Sequence, residues 1–223
     1  LIQEYPADRC ELIIVNDYPE QKLIFDHPQV TIYNLDETFP LIGEKENYAI
    51  ERCNGDLIAV WDDDDVAMSN HLMNIANHWK EDTNIIHWET GVFYNEPSIT
   101  AITGVGNSGI VYSKDVWERI GKSPLENAGG DTTLTNRIHA LGGKVDVKMP
   151  DHEASWFYMW GGRGYHQSGQ GTDDEIKPNI IQRHSAWIES LRAKGEIPTG
   201  DINLVPAWKQ DYKQMLKDYV SSS

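Results

Sequence analysis

Residues 55–66 read GDLIAVWDDDDV, a short apolar run that leads into four consecutive aspartates, Asp62, Asp63, Asp64 and Asp65. Four adjacent negative charges repel one another, and an unpaired charge is costly to bury, so a packed core has no use for them. Carboxylates are hard oxygen ligands suited to Mg²⁺, Mn²⁺ or Ca²⁺, and Mg²⁺ is usually held by one or two carboxylates together with substrate phosphates. On an extended segment successive side chains alternate sides, which makes Asp62 and Asp64 the pair able to share one site. Asp63 then faces solvent or a ribose, and Asp65 caps the turn that follows. The plain alternative is a solvated acidic turn. A calcium loop of the EF-hand type is excluded, because the sixth loop position is not Gly and the twelfth is not Glu.

These side chains need a frame. ELIIVN (11–16), closed by Asp17, reads as a strand buried on both faces, the kind found in parallel sheets. VTIYNL (30–35) is a second strand, EKENYAIERC (44–53) a helix stopped by Asn54-Gly55, and DLIAVW (56–61) a third strand. Ser69 is placed to cap a helix over 70–81, with Leu72, Ile75, Ala76 and Trp79 on one face. Strand alternating with helix predicts an α/β domain with a mixed, mostly parallel sheet flanked by helices. Beyond it, 85–94 and 108–114 read as strands, 115–120 and 131–141 as helices, and 144–149 as a strand. Residues 154–174, rich in Gly and aromatics, read as a functional loop, and 179–194 as a helix. We divide the chain into one domain over 1–197 and a C-terminal extension over 198–223 that ends in an amphipathic helix near 208–219. In open α/β sheets ligands sit beyond the carboxyl ends of the strands. Asp17 and the aspartate run both lie at such ends, facing one crevice.

Composition narrows the partners. The formal charge of −16 over 223 residues argues against a nucleic-acid backbone or an anionic membrane surface, since both need a basic face. It fits a protein that holds a cation. Two cysteines, Cys10 and Cys53, make no disulfide framework and point to a reducing compartment, cytoplasmic or peripheral at a membrane. No run reaches transmembrane length. Eight tryptophans are many for this length, and Trp and Tyr both pack in cores and stack on sugar rings.

NYAIERCNGDLIAVWDDDDV resembles the family 2 glycosyltransferases of the GT-A fold, with their Asn-x-Ala helix, Gly-Asp turn, strand and Asp-x-Asp-Asp. ELIIVNDYPE is similar to their second strand, GGDTTLTNRIHALGGKV to their Glu-Asp-x-x-Leu-x-x-Arg segment, and WFYMWGGRGYHQSGQG to the Trp-Gly and His-x-Ser-Gly loop of some members. The likeness runs from about residue 3 to 175. It implies a Rossmann-like nucleotide-diphospho-sugar transferase, using Mn²⁺ or Mg²⁺ and probing a UDP or UDP-sugar donor with an unknown carbohydrate, lipid or protein acceptor. It implies that Asp17 meets the base of the nucleotide, that Lys45 and Asp63 belong to the nucleotide site, that Asp62 and Asp64 take ribose and metal, and that Asp64 is the more direct metal ligand. It implies Asp131 as the general base of an inverting transfer, His166 as a further metal ligand and Arg163 as a diphosphate partner. Each has a plain alternative: Asp17 closes a turn, Asp131 caps a helix, His166 is a loop histidine, Arg163 makes a surface ion pair, and Trp156, Tyr158 and Trp160 pack in the core.

The chain also departs from the family pattern. The first strand of the family has no counterpart ahead of LIQEYPADRC, Tyr18-Pro19 replaces Gly-Ser, Glu46 precedes the helix Asn where a basic residue is usual, and Gly130 replaces the Glu before the base. Two functions follow. One is a metal-dependent glycosyltransferase; the other is an inactive UDP- or nucleotide-sugar-binding protein of the same fold. A receiver-type phosphotransferase lacks its Asp-x-Asp-x-Thr segment.

Overall fold

The structure, a computed structural model, describes residues 3–126, 129–159, 186, 189–206, 208 and 210–222. The run after Glu11 forms β1 (Leu12–Asn16). Residues 21–24 form a short strand, β2 (Gln21–Ile24), which sequence reading passes over. β1 pairs in parallel with β3 (Val30–Asn34). β2 is held by side chains: Asn34 accepts from the Leu23 N–H at 2.8 Å and donates to its carbonyl at 3.0 Å, and Asn16 donates to Asn34 Oδ1 at 2.9 Å. The sequence predicts β1 buried on both faces. Leu12, Ile13, Ile14 and Val15 are instead half-buried, because β3 is the only ladder partner of β1 among the described residues.

Helix α1 (Ile42–Glu51) begins and ends two residues earlier than predicted. The Asn54-Gly55 turn after it is clamped by Glu11, which accepts from the Asn54 backbone N–H, from Asn54 Nδ2 at 3.1 Å and from the Gly55 N–H at 3.1 Å. This turn delivers the chain into β4 (Leu57–Ala59), then β5 (Val66–Ala67) and α2 (His71–His78). Ser69 is not the cap of α2. Asn70 takes that position without a side-chain bond, and Ser69 Oγ donates to Glu4 Oε1 at 2.7 Å.

Residues 85–94 are two strands, not one: β6 (Ile85–Trp88) and β7 (Gly91–Asn95). The break falls at Thr90-Gly91. Thr90 is buried with its hydroxyl bonded to both the carbonyl and the N–H of Met149, and a Cβ on Gly91 would lie 2.3 Å from Val105. The chain therefore leaves one sheet and enters another. The first sheet has the order β10-β6-β9-β4, with β9 (Val111–Ser113) and β10 (Lys144–Val147). The second has the order β5-β11-β7-β8, with β8 (Ser98–Thr103) and β11 (Trp156–Met159). β11 begins the segment predicted as a loop over 154–174. With β12 (Gly200–Asn203) added beside β2, the ladders among the described residues divide evenly into four parallel and four antiparallel pairs.

Helices α3 (Lys114–Arg119) and α4 (Gly130–His139) cover the first sheet, and with α1 they enclose Ile50, Ile58, Ile85, Tyr112, Trp117, Leu134 and Ile138. The final helix, Tyr212–Ser222, starts where Asp211 Oδ1 accepts from the Gln214 N–H at 2.9 Å. It sets Tyr212 and Leu216 into a third core with Tyr94 and Phe157, so residues after 198 pack against both ends of the preceding chain. Most of the helix predicted over 179–194 lies outside the described residues.

Candidate active site

Asp17 directly follows β1. Its Oδ1 lies 3.1 Å from Lys45 Nζ on α1, and its Oδ2 accepts from the Phe39 N–H at 3.2 Å. Two of the residues assigned to the nucleotide site thus pair with each other.

The aspartate run is a turn, not an extended segment: the Asp65 N–H donates to the Asp62 carbonyl at 3.2 Å. The alternation argument for pairing Asp62 with Asp64 therefore does not hold, and burial separates the four side chains instead. Asp62 and Asp63 are exposed, Asp64 is half-buried and Asp65 is buried. Asp65 accepts from Trp156 Nε1 at 3.0 Å, from Ser108 Oγ at 2.5 Å and from the Met159 N–H at 2.8 Å. Both its oxygens are committed to the protein, which makes it the tether between this turn and β11. Asp62 is the perturbed member. Although the residue as a whole is exposed, protein atoms crowd its carboxyl, and the carboxylates of Asp65, Asp64, Asp63 and Glu46 add repulsion, which together push it up to about 7.

That repulsion is the observation against which a cation can be tested. Asp62 and Asp64 offer hard oxygens in a strongly negative turn, a donor set that fits Mg²⁺ or Mn²⁺. Among the described residues no three His, Cys, Asp or Glu side chains are gathered closely enough to enclose a metal alone. The arrangement matches a cation held by one or two carboxylates plus phosphate oxygens.

Asp131 lies in the first turn of α4, after Gly129, whose φ of 74° gives the chain its left-handed entry into the helix. Asp131 is exposed, and Asn107 Nδ2 stands 3.4 Å from both Asp131 Oδ2 and Thr132 Oγ1. Asn107 is itself held by Thr135, whose Oγ1 donates to Asn107 Oδ1 at 3.1 Å. Helix α1 links this end to the aspartate turn. Glu46 feels the charge of both Asp62 and Asp131, and burial with the Asp131 charge holds its own carboxyl above the usual range despite Ser123 and Lys45. Asn47 explains the Asn of the helix motif in structural terms. Its Oδ1 accepts from the Ser123 N–H at 2.8 Å and Trp117 Nε1 at 3.2 Å, and its Nδ2 donates to the Ser123 carbonyl at 3.1 Å, which fixes the segment leading to α4. Gly43 permits the same approach, since a Cβ there would fall 1.8 Å from the Pro124 carbonyl oxygen.

The structure therefore gathers Asp17, Lys45, Asp62, Asp63, Asp64 and Asp131 around α1. Arg163, His166 and Trp160 lie outside the described residues. Trp156 is a core residue at 1% exposure and is not free to stack on a sugar, whereas Tyr158 is half-buried and packs edge-on to Phe93. Glu46, Asn107 and the tethering role of Asp65 were missed in the sequence. Glu46 alone left a signal there, as an acid at a usually basic position.

Residues 1–141 match the model of Glycosyl transferase family 2. The chain belongs to that family. No curated protein matches it. Among solved structures, this family 2 chain is similar to S. aureus TarS. The crystal structure of TarS 1-349 in complex with UDP-GlcNAc superposes with a TM-score of 0.60 at 13% identity, covering 81% of this chain and 58% of that one. The UDP complex of TarS 1-349 gives a TM-score of 0.56 at 13% identity over 71% of this chain and 54% of that one. The longer TarS structure gives 0.55 at 12% identity over 71% of this chain and 32% of that one. At such identity the likeness is one of fold, the mixed α/β GT-A architecture, and this chain spans less than two thirds of those proteins. No helix among the described residues is long and apolar enough to cross a membrane.

Proposed function

We infer that this family 2 protein is a metal-dependent glycosyltransferase of the hexosyl type. It takes a sugar from a nucleotide sugar, a UDP-sugar, and passes it with inversion to a carbohydrate, lipid or protein acceptor. The observation that carries the reading is that the aspartate turn and Asp131 both lie close enough to Glu46 on α1 for their charges to act on one another. Asp64 and Asp62, with His166 as a further ligand, would hold a divalent cation, Mn²⁺ or Mg²⁺, which would supply positive charge against the departing diphosphate. Asp131 takes the proton of the acceptor hydroxyl, with Asn107 orienting its carboxylate. Asp17 meets the base, Lys45 and Asp63 complete the nucleotide site, and Arg163 meets the diphosphate. TarS, which shares the fold, has been crystallised with UDP and with UDP-GlcNAc, and this supports the donor class. The cytoplasmic or membrane-peripheral location read from the cysteines belongs to the same proposal.

A second reading, a binding protein that transfers nothing, is favoured by Lys45 already pairing with Asp17 and by Gly130 standing beside the base. Calorimetry with UDP, with and without Mn²⁺, combined with sugar release from a UDP-sugar panel, separates the two. The enzyme shows Mn²⁺-dependent binding and turnover, and Asp131→Asn lowers turnover by about 10²–10⁴-fold while UDP still binds. Metal-independent UDP binding that survives Asp64→Ala overturns the metal bridge. Binding without turnover on any donor selects the second reading.

A further inference from the structure

Away from the crevice, His87 on β6 and His139 in the last turn of α4 bring their Nε2 atoms within 3.1 Å, with ring centroids 5.0 Å apart and planes inclined by 39°. Both side chains are half-buried. Two nitrogens bound to one cation at about 2.0–2.1 Å, at tetrahedral or right-angled geometry, lie about 2.8–3.4 Å apart. The observed separation falls within that range. Burial and the charges of Lys144 and His139 hold the His87 imidazole below its usual range, against a backbone hydrogen bond at Gly106 and the Asp146 carboxylate, so the ring is held in its neutral, metal-binding form. Asp146 sits opposite His87 in the β6–β10 ladder, with its carboxylate 2.8 Å from Lys144 Nζ.

We propose that His87 and His139 form a two-imidazole chelate for a late first-row divalent cation, Zn²⁺ above all, distinct from the carboxylate turn. Imidazole suits Zn²⁺, Ni²⁺ and Cu²⁺, whereas Mg²⁺ and Mn²⁺ prefer the oxygen donors of Asp62 and Asp64. Without the cation, one of the two rings, taken here as His139, donates its Nε2–H to the other. Moving that proton to Nδ1 of His139 frees both lone pairs, and water completes the coordination. The site has a structural consequence. α4 carries Asp131 near its start and His139 at its end, while the loop bonded by His87 carries Asn107, which holds Asp131 and Thr135. A cation on the pair locks α4 to β6 and steadies the Asn107–Asp131 contact.

The test uses the whole chain in saturating Mg²⁺, so that the carboxylates are already occupied. Zn²⁺ calorimetry shows one binding event that weakens by at least about tenfold in His87→Gln and in His139→Gln, and is unchanged in His152→Gln, an exposed histidine elsewhere. Zn²⁺ raises the melting temperature of the parent protein and not of the two chelate variants. Pulsed electron paramagnetic resonance of the Cu²⁺-loaded parent shows two coordinated imidazoles. One imidazole or none in the parent overturns the chelate even if a variant fails to fold, and so does Zn²⁺ affinity that is indifferent to both substitutions.

Discussion

Trp156 donates its indole N–H to Asp65 Oδ2 at 3.0 Å, a bond that joins β11 to the aspartate turn across 91 residues of chain. It separates Asp65 from its three neighbours in role. Asp65 is 8% exposed and accepts from two further donors, Ser108 Oγ and the Met159 N–H. Removing the carboxylate strands the Ser108 hydroxyl and the Met159 N–H, while Trp156 Nε1 keeps Ser108 Oγ at 2.9 Å, at about 1–3 kcal/mol for each group left unmet. Asp65→Ala is therefore expected to lower the unfolding free energy by about 3 kcal/mol in urea titrations. A loss below about 1 kcal/mol would mean that the tether is not structural.

Asp63 and Asp64 are adjacent, yet they differ in depth. Asp63 is exposed, and Asp64 is half-buried and repels Asp62 more strongly. Asp64→Ala should weaken Mn²⁺-dependent UDP binding by at least about tenfold, as losing a metal-site partner does. Asp63→Ala should change it by no more than about fivefold, the scale of an exposed charge. Equal losses in calorimetry would mean that the turn acts only through its summed charge.

The pH dependence follows from Asp62. Its carboxyl titrates near 3.8 in the unfolded chain and is pushed up to about 7 in the folded one. The folded state then binds this proton more tightly, so the contribution to stability is complete below about 3.8 and is lost as pH rises through about 7. Cation-free protein should lose stability over that window, and Asp62→Asn should flatten the slope. Added Mn²⁺ should restore stability at the alkaline end, where the carboxylate is free to bind it. Melting temperatures across pH, with and without Mn²⁺, check all three outcomes, and a slope unchanged in Asp62→Asn assigns the effect elsewhere.

Gly43 is a packing requirement for the site. A methyl group there would fall 1.8 Å from the Pro124 carbonyl oxygen and push α1 away from the segment that leads into α4. Gly43→Ala should cost about 1–3 kcal/mol by overpacking, read as a melting-temperature drop of roughly 2–4 °C for each kcal/mol. It should also reduce turnover, because Glu46 and Asp131 lie on the two elements forced apart. Full stability with full turnover would show that the contact relaxes freely.

Some of this protein was legible in its residues. The apolar runs before Asp17 and Asp62 marked strands, since consecutive Leu, Ile and Val favour a pleated, buried surface. Asn54-Gly55 marked the end of α1, and the aspartates marked the end of the crevice that carries negative charge. These are local properties, set by residue type and spacing. What local pattern misread was decided by distant partners. The strand over 85–94 divides because Gly91 meets Val105 and Thr90 meets Met149. The aspartate run became a turn with one buried member because Trp156 and Met159 arrive from β11, a strand hidden in a Gly- and aromatic-rich stretch. Glu46 faces both Asp62 and Asp131 only after Asn47 and Gly43 have drawn α1 against the chain before α4. Sequence by itself determined which residues had chemistry to offer. Which of them stand together was decided by tertiary packing, because burial, hydrogen-bond partners and charge repulsion depend on contacts between residues tens of positions apart.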